Sequence, residues 1–286
     1  MKKPSVIASR RFTRLFAVLA SVTLLALTVA QGVAAELLAG VAANGRLVLF
    51  ASDDPEDVAV VQVRGLQPGE QLLGLDVRPA TGELYALGSS ARLYTINFLT
   101  GQATAVSSIP FTNELTGTSF GFDFNPTVDR IRIVSNTGWN IRVNPTNGLL
   151  AAVDVSLAYA VSNSIPVPTP EVVASAYINN DTNPATATVL YGIDVAQDAL
   201  VTQNPPNAGV LNLVGPLGVD ATSVAGFDVS GVDGVAYAAL VPAGQPGNSA
   251  RAGLYTIDLA TGAATLVGKI GGPKLLTSLA TLGTLD

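Results

Sequence analysis

The 286-residue chain contains no histidine and no cysteine. Without histidine there is no general base with an ordinary pKa near neutrality, no Ser-His-Asp arrangement and almost no zinc or copper chemistry. Without cysteine there is no disulfide, no thiol nucleophile, no thiolate metal site and no lipoprotein anchor. Acid, base or nucleophilic work falls to carboxylates, tyrosines, lysines and arginines. Three aspartates recur in one setting, Gly-x-Asp: Gly74 to Asp76, Gly121 to Asp123 and Gly226 to Asp228. If the segments carrying them line a common tunnel, three carboxylates approach one another near one mouth, an arrangement suited to proton transfer or to a hard cation. The corresponding places in two further segments hold Tyr177 and Ala280, so the ring of carboxylates is incomplete. The competing reading has each aspartate accept hydrogen bonds from neighbouring loop amides, and it carries more weight. A crowded cluster with a raised pKa favours chemistry; three aspartates tied into separate networks favour a scaffold.

A second polar concentration runs from Asp129 to Asn144 and includes Arg130, Arg132, Asn136, Trp139, Asn140 and Arg142. Strand alternation puts Arg130 and Arg132 on one face, opposite Ile131 and Ile133. They either neutralise Asp123 and Asp129 as structural ion pairs, the weightier reading, or reach an anionic ligand. Trp139, the only tryptophan, packs over a hairpin or stacks on a sugar or an arginine. A third cluster, "SDDPED", supplies Asp53, Asp54, Glu56 and Asp57. Its oxygens are weak calcium candidates, but the spacing fits no calcium loop and an acidic solvated turn explains it. "NNDTN" at 179–183 is a candidate of the same kind. Calcium is therefore the one cofactor in view, and no residue is assigned a catalytic role. The loops "QNPPNAG" at 203–209 and "PAGQPGNSARAG" at 242–253 could together shape a binding rim.

These residues sit in a chain that is 48% hydrophobic and 13% charged, the composition of an ordered protein with a large core. The first 35 residues carry Lys2, Lys3, Arg10, Arg11 and Arg14, then an uncharged apolar run from Leu15 to Ala30, then Val33-Ala34-Ala35. That is the layout of a secretory signal peptide cleaved after Ala35. The apolar run is short for a membrane span. Arg10-Arg11 hints at twin-arginine export, although the general route fits the rest of the leader better. The expected mature chain, 36–286, retains 10 basic residues against 21 acidic ones, a net charge of −11. Such a surface repels phosphate backbones and anionic lipid, which argues against nucleic acid or membrane surfaces as partners. A secreted or periplasmic monomer that meets a protein or a glycan is the expectation.

Beyond residue 36, runs of five to eight residues rich in Val, Ile, Leu, Tyr and Thr alternate with Gly, Pro, Asn and Asp, so the chain reads as all β. "LYTINFLTG" at 93–101 returns as "LYTIDLATG" at 254–262. Around them lie longer copies of a four-strand unit, the first with strands near 72–78, 83–88, 91–98 and 102–107. First strands anchored at Gly74, Gly121, Ser175, Gly226 and Ser278 are spaced 47, 54, 51 and 52 apart. A four-strand unit of that length is a propeller blade, predicting a five-bladed β-propeller with four-stranded blades. The fifth unit is split: "LLTSLATLG" at the C-terminus supplies one strand, while "ELLAGVAA", "RLVLFAS" and "VAVVQVRG" supply three. Closing the ring in this way protects edges that would otherwise pair with other chains. In the repeated nonapeptide, Asn97 or Asp258 bonds amides across a turn, and Gly101 or Gly262 supplies positive φ.

"GLDVRPATGELYALG", "GFDFNPTVDRIRIVSNTGWNIRVNPTNG", "LYGIDVAQDALVTQNPPNAGVLNLVGPLGVD" and "AGFDVSG" resemble a family of secreted bacterial proteins catalogued as domain of unknown function 4394. The resemblance implies an exported propeller-like domain with no established activity, and it supplies no catalytic residues. The leading expectation is a non-enzymatic binding or scaffold module for a macromolecule or surface glycan. The alternative is a carboxylate-dependent hydrolase or lyase at the tunnel mouth, using Asp76, Asp123, Asp228 and Tyr177, with or without calcium.

Overall fold

The computed structural model describes residues 35–112, 114–160, 168–183, 185–246 and 249–284. The expected leader lies outside them except for Ala35. The chain opens with β1 (Glu36–Ala42), β2 (Arg46–Ala51) and β3 (Asp54–Gln62). The second blade is β4 (Leu72–Val77), β5 (Leu84–Gly88), β6 (Arg92–Asn97) and β7 (Gln102–Ala105). The third is β8 (Phe120–Asn125), β9 (Arg130–Ser135), β10 (Asn140–Val143) and β11 (Leu150–Val153). After β12 (Ala158–Tyr159) come β13 (Val172–Tyr177), β14 (Leu190–Asp194), β15 (Ala199–Gln203) and β16 (Val210–Pro216) of the fourth. The fifth blade is β17 (Ala221–Val229), β18 (Ala236–Pro242), β19 (Gly253–Ile257) and β20 (Ala264–Lys269). The final strand, β21 (Leu276–Thr284), pairs antiparallel with β1 and completes the first blade in the order β21-β1-β2-β3. Five antiparallel sheets thus form a five-bladed β-propeller, closed by one C-terminal and three N-terminal strands.

The fourth blade departs from the four-strand expectation. β12 runs parallel along the outer edge of β16, with Ala158 opposite Val210 and Tyr159 opposite Leu211. The Ala158 amide donates to Gly209 O at 2.9 Å, so the connection leaving the third blade covers an edge that would otherwise offer unpaired backbone groups.

The inner strands β4, β8, β13, β17 and β21 pack in sequence around the axis, each against the next and the last against the first. That closeness explains the small residues at the anchor positions. A Cβ on Gly226 would lie 2.5 Å from Leu279 N and Ser278 C, both backbone atoms that cannot step aside. The turn device of the repeated nonapeptide also holds: Asn97 Oδ1 accepts from the amides of Leu99 and Thr100, Asp258 Oδ1 accepts from Ala260 N, and Gly101 and Gly262 have φ of 74° and 84°.

Apolar burial is divided among the junctions between blades. One cluster joins each adjacent pair: Leu47, Leu75 and Tyr94 between the first and second, Leu87, Phe122 and Ile133 between the second and third. Ile193, Phe227 and Tyr255 lie between the fourth and fifth, and Phe50, Tyr237 and Leu254 between the fifth and first. The cluster between the third and fourth, around Val134, Leu157, Val172, Val201 and Leu211, is the smallest of the five.

Candidate functional site

Each inner strand ends at the same face of the ring, and Asp76, Asp123 and Asp228 occupy the penultimate or nearby position of β4, β8 and β17. All three are 1 to 3% exposed, and each offers an oxygen lying within 4.8 Å of the others. The sequence expectation that they converge is therefore met. So is the competing one. Phe124 N donates to Asp76 Oδ2 at 2.7 Å, Tyr177 N to Asp123 Oδ1 at 2.9 Å, and Thr281 N to Asp228 Oδ2 at 2.6 Å. In every case the donor belongs to the inner strand of the next blade, so each aspartate clasps one blade to its neighbour. Val77 N and Val229 N donate to the remaining oxygens of Asp76 and Asp228.

Burial is the main reason that all three carboxyls titrate above the ordinary aspartate range. Mutual repulsion adds to it: Asp228 raises Asp76, and both raise Asp123. Hydrogen bonds to the ionised form pull in the other direction, and at Asp228 the amides of Thr281 and Val229 are joined by the Thr281 hydroxyl; its pKa is raised to about 6.

Asp76 alone of the three lines a cavity of about 250 Å³, together with Glu36, Asn180, Gly231 and Thr281 among others. Glu36, the first residue of β1, is fully buried; Ser230 Oγ donates to its Oε1, and burial raises its pKa. Sequence reasoning missed Glu36, because a carboxylate at the expected start of the mature chain carries no motif. Asn180 was within a stretch already singled out, "NNDTN", yet it acts at the mouth rather than as a loop of its own. Its Nδ2 donates to Val229 O at 3.0 Å, tying the fourth blade to the fifth.

Tyr177, grouped with the aspartates by repeat position, is buried but belongs to another network. Arg132 Nε donates to Tyr177 Oη at 2.9 Å, Nη1 reaches Asp154 Oδ2 at 3.0 Å and also Asn140 Oδ1, and Nη2 reaches Asn207 Oδ1 at 2.6 Å. Arg132 is 2% exposed and fully engaged. Arg142 makes a two-pronged pair with the same carboxylate, 2.8 Å to Asp154 Oδ2 and 2.9 Å to Oδ1. Arg132 and Arg142 are held in ion pairs, but with a carboxylate other than those the sequence suggested, and among the described residues Arg130 is in none. Asp154, which drew no notice in sequence, takes both Arg132 and Arg142, while Asp129 pairs with Arg78 of the second blade at 2.8 Å and 2.5 Å. Asp123 accepts a backbone amide instead of an arginine. Arg130 donates to Asp129 O at 2.8 Å. Trp139 is half-buried against the cluster that holds Phe111 and Phe120.

The acidic run lies elsewhere. Asp54, Glu56 and Asp57 are exposed on β3, and Asp53 is exposed in the turn before it. This corrects the expectation of an acidic turn: the ladder with β2 extends to Asp54, opposite Ala51. Among the described residues, the group whose oxygens converge as metal ligands is Asp76, Asp123 and Asp228, and the four acids of this run do not join it. The supposed rim is also divided. The 203–209 loop joins third and fourth strands at the face of the acidic mouth, whereas 242–253 joins second and third strands at the opposite face.

The largest cavity described, about 570 Å³, is a groove over the outer part of the second blade. Thr95, Asn97, Thr100, Gln102 and Thr104 line it together with Phe98.

A five-fold ring of antiparallel sheets with an acid-walled axial mouth defines the chain as a β-propeller. Residues 46–280 match the family described as Domain of unknown function (DUF4394), and the chain belongs to that family. No curated protein matches it. Among solved structures it is similar to a structural-genomics protein of unknown function from Bacteroides thetaiotaomicron, with a TM-score of 0.52 and 16% identity. That likeness covers 88% of this chain and 65% of the other, so this chain spans less than two thirds of its relative. Weaker likenesses are to an auxiliary nutrient binding protein from Bacteroides ovatus (TM-score 0.36, 16% identity, 62% of this chain and 46% of that one) and to PorZ, a surface component of the type-IX secretion system of Porphyromonas gingivalis (0.40, 13%, 83% and 27%).

Proposed function

We propose that the protein is an exported, non-catalytic binding module whose ligand is a glycan held in the groove of the second blade. The observation that carries this reading is the lining of that groove: the hydroxyl, amide and carboxylate side chains of Thr95, Asn97, Gln102, Thr104 and Glu83 beside apolar Phe98 and Leu99, without a lysine or arginine. Such a surface offers donors and acceptors to sugar hydroxyls and an apolar patch to a sugar face. Export rests on the basic, apolar and small-residue order of the first 35 residues.

A hydrolase or lyase at the axial mouth is the second reading, favoured by the crowding and raised pKa values of the aspartates. Against it, both oxygens of Asp76 and of Asp228 already accept backbone amides, which hold those carboxylates in place. Labelled protein lacking residues 1–35, applied to a glycan array, should bind a restricted set of glycans. Thr104→Arg, on an exposed position of β7, should abolish that binding while leaving the melting temperature unchanged. An empty array, or binding indifferent to Thr104→Arg, removes the groove from consideration. Cleavage of a bound oligosaccharide that stops in Asp123→Asn would establish the second reading instead.

A further inference from the structure

The axial mouth has a chemical peculiarity beyond its three aspartates. Among the described residues, four buried side-chain atoms have no hydrogen-bond partner: Glu36 Oε2, Arg92 Nε, Ser175 Oγ and Asn180 Oδ1. Two of the four, Glu36 Oε2 and Asn180 Oδ1, belong to residues lining the one cavity that also takes in Asp76. Asn180 Oδ1 only accepts, and so does Glu36 Oε2 in the ionised carboxylate. The orientation of the Asn180 amide is fixed by its Nδ2 bond to Val229 O, so the oxygen is the atom left over. Stranding a buried acceptor is costly, and two at the edge of three convergent carboxylates make a region rich in negative potential and short of donors.

We propose that this mouth binds a divalent cation of the calcium type, held by Asp76, Asp123 and Asp228, with Glu36 and Asn180 facing the cavity that Asp76 lines. The donor set is entirely carboxylate and amide oxygen, the hard ligands that calcium takes in numbers of six to eight at about 2.3–2.6 Å. Oxygens on a sphere of that radius are at most about 5 Å apart. One oxygen from each aspartate, within 4.8 Å of the other two, meets that pairwise limit. The amide bonds leave a lone pair on each oxygen of Asp76 and Asp123 and on Asp228 Oδ1, whereas Asp228 Oδ2 accepts from both Thr281 N and Thr281 Oγ1, so Oδ1 is the Asp228 oxygen free to ligate. These hydrogen bonds fix the rotamers, so the site is prearranged. The cation would offset the repulsion among three converging carboxylates, and it would sit where their blades meet. This inference is independent of the glycan groove and survives the failure of that reading.

The test uses chelator-treated protein at pH 7, titrated calorimetrically with calcium alone and, separately, with terbium followed by its luminescence. One calcium per chain is expected, with a Kd of about 0.1–1 mM or tighter, and a melting temperature that rises and saturates with calcium. Asp123→Asn should weaken binding by about 10-fold or more, and so should Asn180→Ala. Asn180 is only half-buried, so its variant tests the site even if the aspartate variant fails to fold. Asp54→Asn with Asp57→Asn, on the exposed face of β3, should leave binding unchanged. Absence of heat, luminescence and melting shift up to about 10 mM calcium, well above the weakest class of biological site, overturns the proposal. Binding that survives both mouth variants, or disappears in the β3 variant, overturns it equally.

Discussion

Tyr177 N donates to Asp123 Oδ1 at 2.9 Å, so a carboxylate on the third blade closes onto the backbone of the fourth. Phe124 on Asp76 and Thr281 on Asp228 repeat the relationship at two other junctions. The acceptor and the charge of these residues have separate consequences, and substitutions separate them. Asp123→Ala strands a buried amide and should cost about 1–3 kcal/mol. Asp123→Asn keeps a carbonyl acceptor while removing one of three crowded charges. In metal-free protein at pH 7 it should be no less stable than the parent. Urea denaturation of the two variants checks this, and equal losses in both would show that the charge itself is needed.

The raised carboxyl pKa values fix the sign of a pH dependence. A carboxyl that titrates higher in the folded state than in the unfolded one binds more protons when folded, so its contribution is fully present below about pH 4. That contribution is lost as pH rises through the folded value, about 6 for Asp228 and well above the ordinary range for Asp76 and Asp123. Glu36, also raised, acts in the same sense. With no histidine in the chain, no ordinary imidazole titration competes in this window. Chelator-treated protein should melt roughly 3 °C or more lower at pH 7.5 than at pH 5. Asp123→Asn should flatten the slope. A melting temperature that climbs between those pH values would contradict the buried cluster.

Arg132 is placed where apolar support is thinnest, at the junction of the third and fourth blades. Arg132→Met leaves Asn140, Asn207 and the Tyr177 hydroxyl without their donor and removes one of the two cations on Asp154. Breaking a buried pair from one side costs about 3–5 kcal/mol. Arg130→Met, by contrast, removes a bond to a local carbonyl on a half-exposed side chain and should cost under about 1 kcal/mol. Denaturant midpoints of the two variants should differ accordingly; similar losses would refute the network's role.

Close contact of the inner strands predicts a steric penalty. Gly226→Ala brings a methyl to 2.5 Å from backbone atoms of Ser278 and Leu279 and should destabilise by about 1–3 kcal/mol or prevent closure of the ring. At Gly231 the nearest atom to a new methyl is Asn180 Cβ, at 3.2 Å, so Gly231→Ala should cost distinctly less. Thermal melts of both variants provide the comparison.

Removing residues 276–286 takes away β21 and exposes the inner edge of β1, from Glu36 to Ala42, as an unpaired and mostly apolar strand. Light scattering of the truncated protein should show self-association, because such an edge is a template for pairing between chains. A monodisperse truncation product would mean that the ring does not depend on its terminal ladder.

Period, blade number and closure were legible in the sequence because they follow from local rules, whereas the added edge strand β12 of the fourth blade was not. Alternation fixes which side of a strand is buried, and turn chemistry at Asn97-Gly101 and Asp258-Gly262 marks where strands end. The Gly and Ser anchors record how closely inner strands approach. The convergence of Asp76, Asp123 and Asp228 followed from the same repeat. What the sequence could not supply were partners chosen across strands and across blades. Asp154 lies 12 residues from Arg142 and 22 from Arg132, and nothing local marks it as the carboxylate that serves both. Glu36 and Asn180 lie 144 positions apart in the chain and share a cavity only because β21 and β1 close the ring. Local propensity and spacing depend on neighbours along the chain, so a sequence displays them. The buried acceptors at the axial mouth depend on five blades packing at once, and only the tertiary structure decides where those oxygens meet.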